Sequence, residues 1–429
     1  MGDCAPARIL QALSLVAAGV LLCLLLSAPG AAPQHSTLHT LDATAAPCRA
    51  VFEEYRPSEL EASWAAHVAA LDPAALPTRS FCEDTVSPSF VEPMQAWIAV
   101  GAEQNAIRPR TRQGLAQQAA ALAARPDVFS RLAFRDSCTG ARWEAHVAPL
   151  AGMLRDPRAP CARKVFTPLL FDSGRGETLQ PKDTVILDGA AVAAAAAALA
   201  AARAAGHPRR AILLDAGAST YNGESEGWPG TRWLVERYQD LGCVAKRAGA
   251  TCLGAPSGST PPRSPRALCC TCLRACPPFH APPHCPGFLF SSLNFTDIYA
   301  WEFTPRPGFE YFEGMPAELV AATHFYNFGA SNLEGPRNPL SILKAAAQPG
   351  DFVVFKLDID TPSVEIPLVE ALLKDEGALA LITHFYYELH FNLKDMDWAW
   401  GHGMEGDLSS ATRVFRAFRE RGIAAQMWP

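Results

Sequence analysis

Apolar and polar positions along the chain fall into three rhythms. Residues 9–26 are an uncharged, almost wholly apolar run with Arg8 just before it. From residue 48 to about 163 the pattern predicts mainly helices. Ser58-Glu-Leu-Glu61 has the pattern of a capping box, with residues 62–71 continuing that helix, and 113–124 form an Ala/Gln/Leu-rich second one. Asp136-Ser-Cys-Thr-Gly140 predicts a turn, and residues 148–155 a short packed segment. From about residue 185 short apolar runs alternate with helical stretches. Strands are expected at 211–214, 298–303, 324–330, 351–357, 378–389 and 423–428. Helices are expected at 189–205, 228–241, 339–347, 365–373 and 408–421. Strands alternating with helices predict an α/β fold. The expected form is a Rossmann-like, doubly wound, mainly parallel sheet with a helical N-terminal region.

The first rhythm changes the compartment. A run of 18 uncharged residues is near the lower limit for crossing a bilayer and long for the apolar part of a secretory signal. It reads as a signal-anchor with the chain beyond it on the lumenal side, against a cleaved signal or a buried helix. Small residues at 28 and 30–32 suit cleavage, and Pro29 and Pro33 do not. Residues 27–47, rich in Ala, Pro, Ser and Thr, read as a stalk. The organisation expected is therefore anchor and stalk start at 1–34, a helical Cys-containing region at 35–165, and an α/β domain at 166–429. In a lumenal setting Cys48, Cys82, Cys138 and Cys161 are an even set able to form two disulfides, with free buried thiols the alternative. Asn294-Phe-Thr296 is an acceptor triplet for N-glycosylation, which makes the chain a candidate glycoprotein.

Composition and charge narrow the function classes. The 429 residues are 49% hydrophobic and 19% charged, with a net charge of -6 and no basic cluster, so nucleic acid is not an expected partner. Residues 249–287 interrupt the α/β rhythm with Pro, Cys, Ser and Arg. Cys272-x3-Cys276 and His280-x3-His284 have the spacing of zinc ligands, but the pairs stand too close together to enclose a finger core. The segment reads as a disordered insert or misassigned coding sequence, and no metal site is assigned.

The chemistry concentrates where strands end. Asp215-Ala-Gly-Ala-Ser-Thr220 closes one strand, Glu302 the next, and Lys356-Leu-Asp-Ile-Asp360 a third. In open parallel sheets ligands bind outside the carboxyl ends of the strands. Gly217 permits a close backbone approach there. The pattern is neither a dinucleotide fingerprint nor a phosphate-binding P-loop, and there is no serine-hydrolase elbow or zinc-protease motif. Asp358 and Asp360, two apart, share a face if the strand stays regular. They suit a general base or a divalent cation. Glu388 and His390 repeat that spacing on the next strand, with His384 at the same parity. Structural hydrogen bonding is the competing role for all of them, and the favoured one for Glu388, His390, His324 and His384.

These motifs resemble the class I S-adenosylmethionine-dependent methyltransferases over about residues 205–390, the insert excluded. Asp215-Ala-Gly-Ala is similar to the D-x-G-x form of their first motif, and Glu302 to the acid ending their second strand. Lys356-Leu-Asp-Ile-Asp360 with Glu365 resembles the K-x-D-x-E-G-x-E stretch of the FkbM-type enzymes, which methylate hydroxyls of sugars and related acceptors. The chain also resembles a group of membrane-anchored algal and protist proteins carrying such a domain. The resemblance implies S-adenosyl-L-methionine as cofactor, bound by Asp215, Gly217, Ser219, Glu302 and Asn327. Asp358, Asp360, Glu388 and His390 would be the catalytic candidates, and a glycan the acceptor. Thr361-Pro362 stands where the family has Glu-Gly. That departure keeps open a catalytically inactive, glycan-binding module using aromatics at 385–387 and 398–400. A glycosyltransferase with an acidic metal pair is a third, weaker alternative.

Overall fold

A computed structural model of the chain describes residues 50–71, 88–106, 112–151, 184–207, 209–223, 230–238, 293–392 and 404–428. The apolar run at 9–26, the stalk, the insert at 249–287 and the aromatics at 398–400 lie outside them. Among the described residues no helix is long and apolar enough to cross a membrane.

The N-terminal region departs from the helical expectation. Besides helices α1 (Glu59–Ala69), α2 (Pro88–Ala106) and α3 (Arg112–Ala123), it contains β1 (Ala50–Arg56), β2 (Ser130–Asp136) and β3 (Arg142–Val147). These three pair antiparallel in the order β1-β2-β3. The strands are hard to see in sequence because charges crowd them. Cross-strand partners supply the sheet's cohesion instead: Arg135 with Glu53, Arg56 and Arg131 with Glu144, and Phe52 and Trp143 on either side of Phe134. The expected turn at 136–140 joins β2 to β3. Asp136 accepts from the amides of Cys138 and Thr139, and Gly140 takes φ 71°. Cys138 is disulfide-bonded to a cysteine outside the described residues.

Half of the expected capping box forms. Ser58 accepts from the Glu61 amide at 3.1 Å. Glu61 does not turn back to Ser58. Its buried carboxylate accepts from Ser130 Oγ (2.7 Å), the Leu150 amide (2.9 Å), Arg419 Nη1 (3.0 Å) and the Tyr55 hydroxyl. Arg419 is itself fully buried and also donates to the Ala148 and Ala425 carbonyls. The ion pair thus pins α1 and the N-terminal sheet to the C-terminal helix.

Residues 184–428 build the larger layer. In chain order they form α4 (Gly189–Ala204), β4 (Ala211–Ala216), α5 (Thr231–Tyr238), β5 (Asp297–Trp301), α6 (Gly308–Tyr311), α7 (Ala317–Ala322) and β6 (Thr323–Tyr326). There follow α8 (Pro339–Ala346), β7 (Phe352–Leu357), α9 (Pro362–Lys374), α10 (Glu376–Leu379), β8 (His384–Tyr387), α11 (Leu408–Arg419) and β9 (Ala424–Met427). The six strands make one sheet in the order β6-β5-β4-β7-β8-β9, and all five pairings are parallel. β4 and β7 are buried at every position, as central strands covered on both faces require. Ile212, Leu214, Val353 and Phe355 pack with α8, α9 and α11 on one face. Leu213, Ile298 and Val354 pack with α4 and α5 on the other. A fully buried side chain of this size contributes about 1.5–3 kcal/mol, so the sheet is the main store of stability.

One strand is shorter than expected. The run 378–389 gives only β8, because Asp375 caps a helical turn at α10 by accepting from the Ala378 amide. Glu388 and His390 therefore lie beyond the strand.

Candidate active site at the carboxyl edge of the sheet

Parallel pairing lines up the strand ends in one row. Ala216 is in register with Trp301 on one side and Leu357 on the other. Trp301 pairs with Tyr326, Leu357 with Tyr387, and Tyr387 with Met427. One residue further, Asn327, Glu302, Gly217, Asp358, Glu388 and Trp428 stand side by side across the sheet. Backbone bonds carry the pairing into this row: Glu302 N–H donates to Tyr326, Gly217 to Trp301, Asp358 to Ala216, Glu388 to Leu357 and Trp428 to Tyr387, all at 2.9–3.1 Å. The row spans the place where the chain, having built outward from β4 through β5 to β6, crosses to β7 on the other side. Such a reversal leaves a crevice at the strand ends, the usual ligand position in open α/β sheets.

Lys356 organises the middle of the row. Its register partner is Asp215, and both point to the face covered by α5. Lys356 Nζ lies 3.1 Å from Asp215 Oδ1, 3.0 Å from Asp358 Oδ2 and 2.8 Å from the Gly217 carbonyl, with the Trp428 ring 5.4 Å away. Burial works against its charge, but Asp215 and Asp358 outweigh it and raise its pKa. Asp215 is wholly buried and also accepts from Thr231 Oγ1 at 2.6 Å. Its link to anything in the crevice therefore runs through Lys356. Sequence reasoning gave Lys356 no role of its own, although a lone Lys inside Phe-Val-Val-Phe-Lys-Leu is the signal that a buried counter-charge awaits it.

Gly217 does permit a close approach, but the approaching group belongs to the chain. At φ 91° a Cβ there would meet the Asp358 carbonyl oxygen at 1.4 Å. The glycine is needed to seat β7 beside β4, and a ligand meets only the remaining side of this loop. Ser219, at φ 53°, keeps a buried Oγ without a hydrogen-bond partner among the described residues. Glu302 is 7% exposed and accepts from the Thr304 amide at 2.8 Å, with Arg306 Nε 3.9 Å away. Asn327 fastens the same loop, accepting from the Arg306 amide and donating to its carbonyl.

The two aspartates do not share a face. β7 ends at Leu357, and Asp360 takes φ 51°, so Asp358 turns inward to Lys356 while Asp360 is 83% exposed. Asp358 is held below the usual carboxylate range: burial opposes ionisation, and Lys356 overcomes it. Glu388 is pushed far up by burial and then by the charge of the neighbouring Asp358. His390 is driven toward its neutral form by burial, against Asp360 and Asp358. Its Nε2 stands 3.4 Å from Glu388 and 3.8 Å from Asp360. Glu365, at the start of α9, braces the loop by accepting from the Ile359 amide at 2.9 Å, and burial pushes its pKa up to about 8.

His384 does not join this group. It lies half-buried at the start of β8, with Tyr238 Oη 2.6 Å from its Nδ1, and desolvation takes its pKa down to about 4. His324 stacks on Tyr299 at 4.6 Å on β6.

The row therefore offers Asp358 held toward its charged form by Lys356, Glu388 held toward its neutral form beside it, and an imidazole close by. Such a set can take up and pass on a proton. Among known proteins, no family model, curated protein or solved structure matches the chain.

Proposed function

We propose that the chain is an S-adenosylmethionine-dependent O-methyltransferase acting on a hydroxyl of a sugar or related acceptor. The observation that carries this reading is the row itself. Counted from β4, the strand order is 3-2-1-4-5-6, the order of Rossmann-like doubly wound sheets that bind nucleotide cofactors at the reversal. The donor would lie over the loop after β4, with Glu302 toward its ribose and Asn327 toward its adenine. Ser219 Oγ, buried in that loop, has no hydrogen-bond partner among the described residues. The acceptor hydroxyl would enter beside Asp358, which takes its proton. Methyl transfer needs the two reactants held in line more than it needs a covalent intermediate. Lys356, itself held by Asp215, suits that demand by fixing Asp358 in place beside the acceptor.

Compartment is part of the reading. The Cys138 disulfide supports a lumenal or extracellular setting, with residues 9–26 as anchor. Asn294 is exposed at the approach to β5, as an acceptor must be. Expression through the secretory pathway should give a glycosidase-sensitive mass shift that Asn294→Gln abolishes. The donor claim is tested by calorimetry on the full chain with S-adenosylmethionine and its demethylated product. Binding at micromolar concentration is expected, and no heat from folded protein at high micromolar ligand overturns the reading. Donor binding without methyl transfer to any of a broad panel of glycans would favour the inactive glycan-binding alternative.

A further inference from the structure

We infer that Asp360, Glu388 and His390 form a binding site for one divalent first-row transition-metal ion at the β7–β8 end of the row. The three come from two different loops, yet one ligand atom from each lies within 4.8 Å of the others. His390 Nε2 is 3.4 Å from Glu388 Oε2 and 3.8 Å from Asp360 Oδ1. Two atoms bound ~2.0–2.2 Å from a single ion at tetrahedral or octahedral angles lie ~2.8–3.6 Å apart. The first separation fits as it stands. The second, and the Glu388–Asp360 separation of at most 4.8 Å, need Asp360, the exposed member at the end of its loop, to move inward.

Burial is graded as a metal site requires. His390 is 6% exposed, Glu388 17% and Asp360 83%, so two ligands are anchored in the protein and the ion's remaining positions face outward. A second observation points the same way. Glu365 is fully buried against the loop that carries Asp360. Its Oε1 holds the Ile359 amide, and its Oε2 has no hydrogen-bond partner among the described residues. With Asp358 it makes four carboxyl groups around one imidazole and one ammonium, an excess of acceptors that a bound cation relieves. One imidazole and two carboxylates suit Mn2+, Fe2+, Co2+ or Zn2+ better than Ca2+, which takes oxygen ligands alone. This inference rests on the side-chain geometry and not on the methyl-donor reading. A chain that binds the ion and ignores S-adenosylmethionine keeps the one and loses the other.

The probe is Mn2+ rather than Zn2+, because Mn2+ is paramagnetic and prefers oxygen and imidazole ligands to the cysteine that zinc favours. Full-length chain, stripped with chelator, should take up one equivalent of Mn2+ by calorimetry and by the loss of the free-ion electron paramagnetic signal. His390→Ala, Glu388→Gln and Asp360→Asn should each weaken uptake at least tenfold, and Asp297→Asn at the opposite edge should leave it unchanged. In unsubstituted protein, pulsed resonance on the bound Mn2+ should detect one coupled imidazole nitrogen, a result independent of whether any variant folds. Absence of saturable uptake, uptake insensitive to all three substitutions, or bound Mn2+ without nitrogen coupling would each overturn the site.

Discussion

Lys356 and Gly217 are the residues on which the site's shape depends. Removing the ammonium leaves Asp215 buried with Thr231 as its partner among the described residues, and breaking a buried pair this way costs about 3–5 kcal/mol. Lys356→Met should show that loss in urea denaturation. Gly217→Ala places a carbon where the Asp358 oxygen already stands, at a φ that L-residues resist, and should cost more than about 2 kcal/mol. His384 gives a pH signature. Its ring stays neutral down to about pH 4 in the folded chain, whereas the unfolded chain takes up a proton near 6.5. Between those values the unfolded state binds more protons, so stability falls as pH drops from 6.5 toward 4. The contribution is about 2 kcal/mol at pH 5. The stability difference between the parent and His384→Gln should shrink by that amount between pH 7 and pH 5; a constant difference would mean that the ring titrates alike in both states.

At the scale of elements, the strands and helices of residues 184–428 were largely legible because burial on both faces of a parallel sheet leaves continuous apolar runs. Three things were not. β1–β3 carry their charges in cross-strand pairs, a pattern visible only when the partner strand is known. The turn of α10 lies inside an apolar run, where length alone does not separate helix from strand. Asp358 and Asp360 have strand spacing in sequence, but the strand ends at Leu357 and Asp360 itself is left-handed. The row of strand ends was legible as a list of residues. Its internal wiring, with Lys356 joining Asp215 to Asp358, depends on register and was not. The Glu61–Arg419 pair likewise joins residues that no local pattern connects. Glu61→Ala leaves a buried guanidinium without its carboxylate and should cost about 3–5 kcal/mol in the same denaturation assay. Separation into two unfolding transitions would be the sign that this pair couples the N-terminal sheet to α11.

At the scale of the molecule, the central claim is that the donor lies on the β4–β5 side of the strand reversal and proton transfer on the β7–β8 side. Donor affinity in two single variants of the full chain tests it most directly. One carboxylate can accept from both ribose hydroxyls, and a charge-assisted bond contributes roughly 1.5–3 kcal/mol. Glu302→Ala should therefore weaken S-adenosylmethionine at least about tenfold, since ~1.4 kcal/mol corresponds to that factor. Asp358→Asn should bind the donor as the parent does and lose transfer. Undiminished donor binding by Glu302→Ala, with the protein folded, would contradict the account.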